Sequence, residues 1–122
     1  LRQLTQSPRA VAHTLVVEAD GQPTLVIIAG DRDPDITSLA TVLGAGRVTT
    51  VPDHVAHNWT RQEPRAIAPV GHPNNMPTVI DVELSRHPAV WVPAGHPEYR
   101  LASSYAELLR ITAGTAAELI DA

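Results

Sequence analysis

The chain has 122 residues, 43% of them hydrophobic, a formal net charge of −4 at pH 7 and no cysteine. That is enough for one core and one domain, and it excludes a disulfide scaffold, thiolate-bound zinc and a Cys nucleophile. The nine basic residues are all Arg, too few for a face that grips a long nucleic-acid helix, so any RNA contact falls on a short end.

Thr14 to Ala19 and Thr24 to Ala29 are β-branched-rich runs separated by Asp20-Gly21-Gln22-Pro23. Asp-Gly between two such runs predicts a hairpin. Ile36, Leu39, Ala40 and Leu43 then recur at helical spacing, with Gly44 where a helix would cap off. Arg47 to Val51 returns to strand character, and Asp53 predicts the N-cap of a short helix running toward Trp59. Arg61 to Pro77 is rich in Pro, Gly, Asn and His and reads as a functional loop.

Val79-Ile80 and Ala89 to Val92 read as buried strands, with a turn at Pro93-Ala94-Gly95-His96-Pro97 between the latter and the closing segment. Tyr105, Leu108, Leu109 and Ile111 predict a helix; Gly114 breaks it, and Thr115 is expected to cap a terminal helix to Ile120. Strands and helices mix without regular alternation. The predicted fold class is therefore α/β in the mixed α+β sense: one compact domain over 1–122, a twisted mixed β-sheet flanked by short helices.

No thiol is available, so the candidate chemistry falls on histidines, carboxylates and backbone. His54 and His57 stand one turn apart on the short predicted helix. They read first as a polar helix face; with Asp53 or Asp81 they could hold zinc, since imidazole and carboxylate are its usual non-thiolate ligands. Asp81 ends a strand and is expected to cap the next turn, with a general-base role as the alternative. His72 and His96 sit in His-Pro pairs within the two loops, His72 reading as a surface residue. Trp59 is expected as a core or pocket wall. The longest apolar stretches, such as Leu25 to Ala29, are too short to cross a bilayer, no secretory signal is visible, and a cytoplasmic protein is expected.

In order along the chain come Ala12-His13-Thr14-Leu15-Val16-Val17 before the hairpin, Leu39-Ala40 to Leu43-Gly44-Ala45, Ala66-Ile67-Ala68-Pro69-Val70-Gly71, Pro77-Thr78-Val79-Ile80-Asp81, Val90-Trp91-Val92, Ala94-Gly95 and Glu107-Leu108-Leu109. This ordered set resembles the YbaK family, the editing domains of and beside bacterial prolyl-tRNA synthetases, over about Val11 to Leu119. The 66–71 segment looks like that family's Gly-Ile-Ser-Pro-hydrophobic-Gly loop. Family members carry further N-terminal residues, so the chain is expected to lack an N-terminal segment.

The resemblance implies hydrolysis of the ester joining a wrongly attached amino acid to the terminal adenosine of a tRNA, without metal or cofactor. A backbone-lined loop and the RNA's own vicinal hydroxyl would orient the water. An aminoacyl ester is already activated, so positioning and oxyanion stabilisation can supply most of the catalysis. Mapped onto this sequence, the catalytic candidates are His13, Ala66, Ile67, Ala68 and Pro69. The substrate-binding candidates are Leu15, Ile27, Gly71, Val79, Gly95 and His96, with Leu15, Ile27 and Val79 lining one pocket. No metal ligand is assigned. The implied partners are the aminoacyl-tRNA acceptor end and an aminoacyl-tRNA synthetase, with no membrane and no DNA. Three changes set the chain apart from the family: its usual Lys falls on His13, which is cationic only when protonated; loop glycines fall on Arg65 and Ala66; and an acidic position falls near Arg100. These departures motivate an alternative, a catalytically inactive relative that binds a tRNA acceptor end or a protein partner.

Overall fold

The computed structural model describes residues 10–30, 32–62, 67–69, 76–94 and 100–119. Strands β1 (Ala12–Ala19) and β2 (Gln22–Ala29) form the predicted hairpin, with Ala12 opposite Ala29 and Ala19 opposite Gln22. The turn has positive φ at both Asp20 (49°) and Gly21 (85°). That is the type I′ geometry whose twist matches a hairpin and which Asp-Gly accommodates. The Asp20 carboxylate also accepts the Gly46 and Arg47 N–H groups, both at 2.9 Å. This ties the turn to the chain entering β3 (Val48–Thr50), which pairs with Val17, Glu18 and Ala19 of β1.

Helix α1 (Ile36–Leu43) lies between β2 and β3 and ends as the sequence predicts, with Gly44 in the left-handed region at φ 65°. Its N-cap is Asp35, whose side chain accepts the Thr37 N–H. Helix α2 (Asp53–Thr60) starts one residue from expectation: Pro52 holds the cap position and Asp53 is the first helical residue. Pro52 is extended and makes no side-chain cap, while Asp53 still places a carboxylate at the positive end of the helix dipole.

The chain then returns in β4 (Thr78–Asp81), a 3-10 helix (Val82–Arg86), β5 (Val90–Pro93), β6 (Arg100–Ser103), α3 (Tyr105–Thr112) and β7 (Thr115–Ala117). Strand β4 pairs parallel with β2 and β7 parallel with β4, giving a mixed five-stranded sheet in the order β3-β1-β2-β4-β7. Strands β5 and β6 form a separate antiparallel pair, joined to the main sheet by a bridge from Val11 to Trp91. The expected terminal helix from Thr115 is thus a strand. Gly114 sits so close to Thr78 and Ile80 that an added Cβ would lie 3.1 Å from the Thr78 carbonyl oxygen and 3.0 Å from an Ile80 methyl. The chain leaving α3 is already against β4, and sheet pairing overrides the helical leaning of Thr-Ala-Ala-Glu.

Both faces of the sheet are covered, which is why β2 is a continuous apolar run and not an alternating one. One face puts Ala12, Val16, Leu25, Ile27 and Ile80 under α2, the 3-10 helix, β5, α3 and Ile67. The other puts Val17, Val26, Ile28 and Val79 under Leu39 of α1. Each fully buried Leu or Ile here contributes about 2 kcal/mol of apolar transfer.

Candidate functional site

Strand β3 covers only the last three residues of β1, from Val17 to Ala19. Beside the first half of β1 lie the Val11–Trp91 bridge and the loop at 67–69. The Thr14 hydroxyl donates to the Ile67 carbonyl at 2.6 Å. The Ala68 N–H donates to the Gln62 side-chain carbonyl, also at 2.6 Å. Ile67 is 1% exposed and belongs to the core beneath, so the loop is anchored by an apolar side chain and two polar ones.

This arrangement narrows what the loop backbone can offer. A nest of successive N–H groups is one way to hold a carbonyl or oxyanion. Ala68 N–H is engaged by Gln62, and Pro69 has no N–H. Of the three described loop residues, that leaves the Ile67 N–H. Ala66 and Gly71, with Arg65 and His72, lie outside the described residues, as do Gly95 and His96.

His13 precedes Thr14 on the strand, and consecutive strand residues point to opposite faces. The His13 ring is half-buried, with Nδ1 2.7 Å from the Gly30 carbonyl oxygen. A carbonyl only accepts, so this bond puts a proton on Nδ1; a neutral ring then carries its lone pair on Nε2. Gly30 holds φ at 71°, and its own N–H donates to the Val11 carbonyl at 2.9 Å. His13 and the 67–69 loop therefore flank β1 from its two faces. A ligand touching both must lie across the strand's edge, beside residues that β3 does not cover.

The pocket wall expected from Leu15, Ile27 and Val79 needs correction. Ile27 is opposite Ile80, whereas Val79 is opposite Val26. Ile27 joins the core on the face of the loop, while Val79 joins the core under α1, with Leu15 packed against it. The period of two along each strand separates them, and Ile27 and Val79 are 0% and 1% exposed. Ile27 supports the loop through the shared core; Leu15 and Val79 stand on the other face, the face of His13.

Asp81 is 2% exposed and accepts the Ala29 N–H and the Glu83 N–H, each at 3.0 Å, with Arg32 Nη2 at 3.9 Å. It caps the 3-10 helix, as expected, and pins β2 to it. His54 and His57 are both exposed, and His57 Nδ1 lies 3.0 Å from the Gln62 carbonyl oxygen. Among the described residues no three or more His, Asp or Glu side chains converge as a metal site. Trp59 is half-buried against the core. An open cleft of about 440 Å³ is lined by Glu18, Asp20, Gly21, Arg47 and Thr49. It lies at the hairpin end of β1, away from His13, and holds none of the candidate residues.

Two residues of this arrangement escape sequence reading. Thr14 looks like β-branched strand filler until a loop carbonyl is known to lie against it. Gln62 sits in a loop-like run with nothing in its neighbours to mark it; a polar residue six positions before an amide it accepts from has no sequence signature.

A family model for the aminoacyl-tRNA editing domain matches residues 1–111. A crystal structure provisionally described as a trans-editing enzyme for prolyl tRNA synthetase superposes with a TM-score of 0.91 at 21% identity, covering 99% of this chain and 76% of that one. A scaffold protein from computational epitope-backbone grafting superposes at 0.89 and 21% identity, over 98% of this chain and 76% of its own. A hypothetical protein, APE2540, superposes at 0.86 with 26% identity, over 95% and 77%. The first two likenesses establish the fold and nothing finer.

Proposed function

The chain belongs to the aminoacyl-tRNA editing domain family, and from that premise we propose that it is a trans-acting deacylase that hydrolyses the ester of a mischarged aminoacyl-tRNA. The observation that carries this reading is the anchored 67–69 loop beside the half of β1 that β3 does not cover, with His13 on the strand's other face. Across that edge the terminal ribose and its ester would meet both. Water adds to the ester carbonyl carbon, charge gathers on the carbonyl oxygen, and the bond to the ribose oxygen breaks. The products are free amino acid and a tRNA with both ribose hydroxyls restored.

Each step has a group suited to it. The Ile67 N–H is a backbone donor for the developing oxyanion, a type of contact worth several kcal/mol when held in advance of the reaction. The vicinal ribose hydroxyl orients the water. The His13 ring, its Nδ1 held by the Gly30 carbonyl, offers Nε2 as the proton acceptor. No covalent intermediate is needed, which suits a chain with no cysteine. No helix among the described residues is long and apolar enough to cross a membrane; a cytoplasmic site of action and recruitment by a synthetase belong to the same proposal.

The test is release of free amino acid from a panel of mischarged tRNAs. Turnover of one or a few substrates well above the spontaneous rate is expected. A folded protein that releases nothing across the whole panel, yet binds the acceptor end, would overturn the deacylase reading in favour of a binding-only relative.

A further inference from the structure

We propose that Gln62 is the positioning residue of the loop that meets the ester, an inference that rests on the deacylase reading. The Ile67 carbonyl and the Ala68 N–H belong to one peptide group. Thr14 holds the first and Gln62 the second, each at 2.6 Å, so the peptide plane is clamped at both ends. A peptide held on one side only can rotate about its flanking φ and ψ at small cost; held on both, it cannot turn without losing a bond. That plane adjoins the Ile67 Cα, so clamping it limits the backbone rotations open to Ile67 and narrows the directions its own N–H can take, and misplacement of a donor by about 1 Å is enough to lose most of its effect on a transition state.

Gln62 is itself built to hold. Its N–H donates to the Thr60 hydroxyl at 3.1 Å, and that hydroxyl donates to the Ala56 carbonyl at 2.9 Å inside α2. Thr60 is 0% exposed. Arg61 turns the chain in the left-handed region at φ 60°, with its N–H on the His57 carbonyl at 2.7 Å. The Gln62 carbonyl lies 3.0 Å from His57 Nδ1. Both backbone polar groups of Gln62 are therefore tied to the end of a helix packed on the core, and the side chain reaches from that fixed base to Ala68. Gln62 acts through the loop and does not itself touch the ester.

The experiment compares wild type with Gln62→Ala, which removes the acceptor, and Gln62→Glu, which keeps an acceptor oxygen at the same reach. Amide hydrogen exchange at Ala68 is read by NMR, and kcat and KM are measured on the substrate that the panel identifies. Expected is faster Ala68 exchange in Gln62→Ala with protection regained in Gln62→Glu. Alongside it kcat falls by about tenfold with KM little changed, and Gln62→Glu restores it. A kcat for Gln62→Ala at or above the wild-type value, with Ala68 exchange quickened, would overturn the proposal and mark Gln62 as a bystander or a plug over a useful N–H. Unchanged exchange overturns it at the loop itself. If wild type turns over nothing, the deacylase reading fails and takes the catalytic half of the inference with it, while exchange at Ala68 still decides whether Gln62 holds the loop. Should Gln62→Ala fail to fold, Gln62→Met, which keeps the length without the acceptor, takes its place.

Discussion

Thr14 and His13 are neighbours that do opposite jobs, because a strand turns consecutive side chains to opposite faces. Thr14→Val keeps the β-branch and removes the donor to the Ile67 carbonyl. Leaving that carbonyl unpaired costs about 1–3 kcal/mol, to be read by urea unfolding, and deacylation falls with it. A variant as stable as wild type would show that water replaces the hydroxyl. His13→Ala should lower kcat by roughly 10²-fold, the low end for a lost proton-transfer group. The loss should fall on kcat with KM little changed, because the ring is placed to act on the reacting water and not to hold the amino acid. A kcat equal to that of wild type removes His13 from the chemistry. Gly30→Ala puts a Cβ into the left-handed region at φ 71° and costs about 1–2 kcal/mol, checked by the shift in thermal midpoint. How much of this could be read beforehand differs by residue. His13 was marked by its place in an ordered set of segments; the face it presents depends on the β1–β2 register, and Gln62 depends on a contact between loop and helix end that no local pattern encodes.

At the level of elements, signals were legible where they are local. Asp20-Gly21 makes its hairpin turn, and Gly44 ends α1, because each conformation is set by a residue or two. Thr115 misleads for the complementary reason. Locally it is a good helix start, but Gly114 has already brought the chain against β4, and Ile80 takes Ala116 as its partner in the sheet. Gly114→Ala should therefore be costly: the new Cβ would stand 2.7 Å from the Thr112 hydroxyl and 3.0 Å from an Ile80 methyl. A loss of about 1–3 kcal/mol is expected from such overpacking, with exchange at the β4–β7 pairing quickened more than at β1–β2. Helix α3 is capped by the Ser104 hydroxyl on the Glu107 N–H at 3.1 Å. The Glu107 carboxylate, hydrogen-bonded by Arg110, is held below the usual carboxylate range. A lowered folded value means that this pair helps α3 above the unfolded carboxylate pKa and stops helping as acid protonates it. Ser104→Ala should cost about 1 kcal/mol at neutral pH, measured by the same unfolding.

Over the whole molecule the charge balance limits how a tRNA can be held. Six of the nine arginines lie among the described residues, and three of these face carboxylates: Arg32 toward Asp81, Arg86 toward Glu83 and Arg110 toward Glu107. Arg47 lines the acidic cleft at the hairpin end, far from His13. With a net charge of −4, the surface offers few cations to phosphates, and each phosphate neutralised adds roughly −0.7 to −0.9 to the slope of log K against log salt. Contact with only the acceptor end predicts a slope no steeper than about −3 for uncharged tRNA, measured by fluorescence anisotropy across a salt series. The free affinity should be weak for the same reason. A deacylase with weak affinity works at useful rates if something else delivers the substrate, and a synthetase holding the same tRNA raises the local concentration of its acceptor end without any new contact to this chain. Adding the cognate synthetase should then raise deacylation at low tRNA concentration and leave the rate at saturation unchanged. A slope of −6 or steeper would instead place the tRNA body on this chain's own surface and leave the synthetase without a role in delivery.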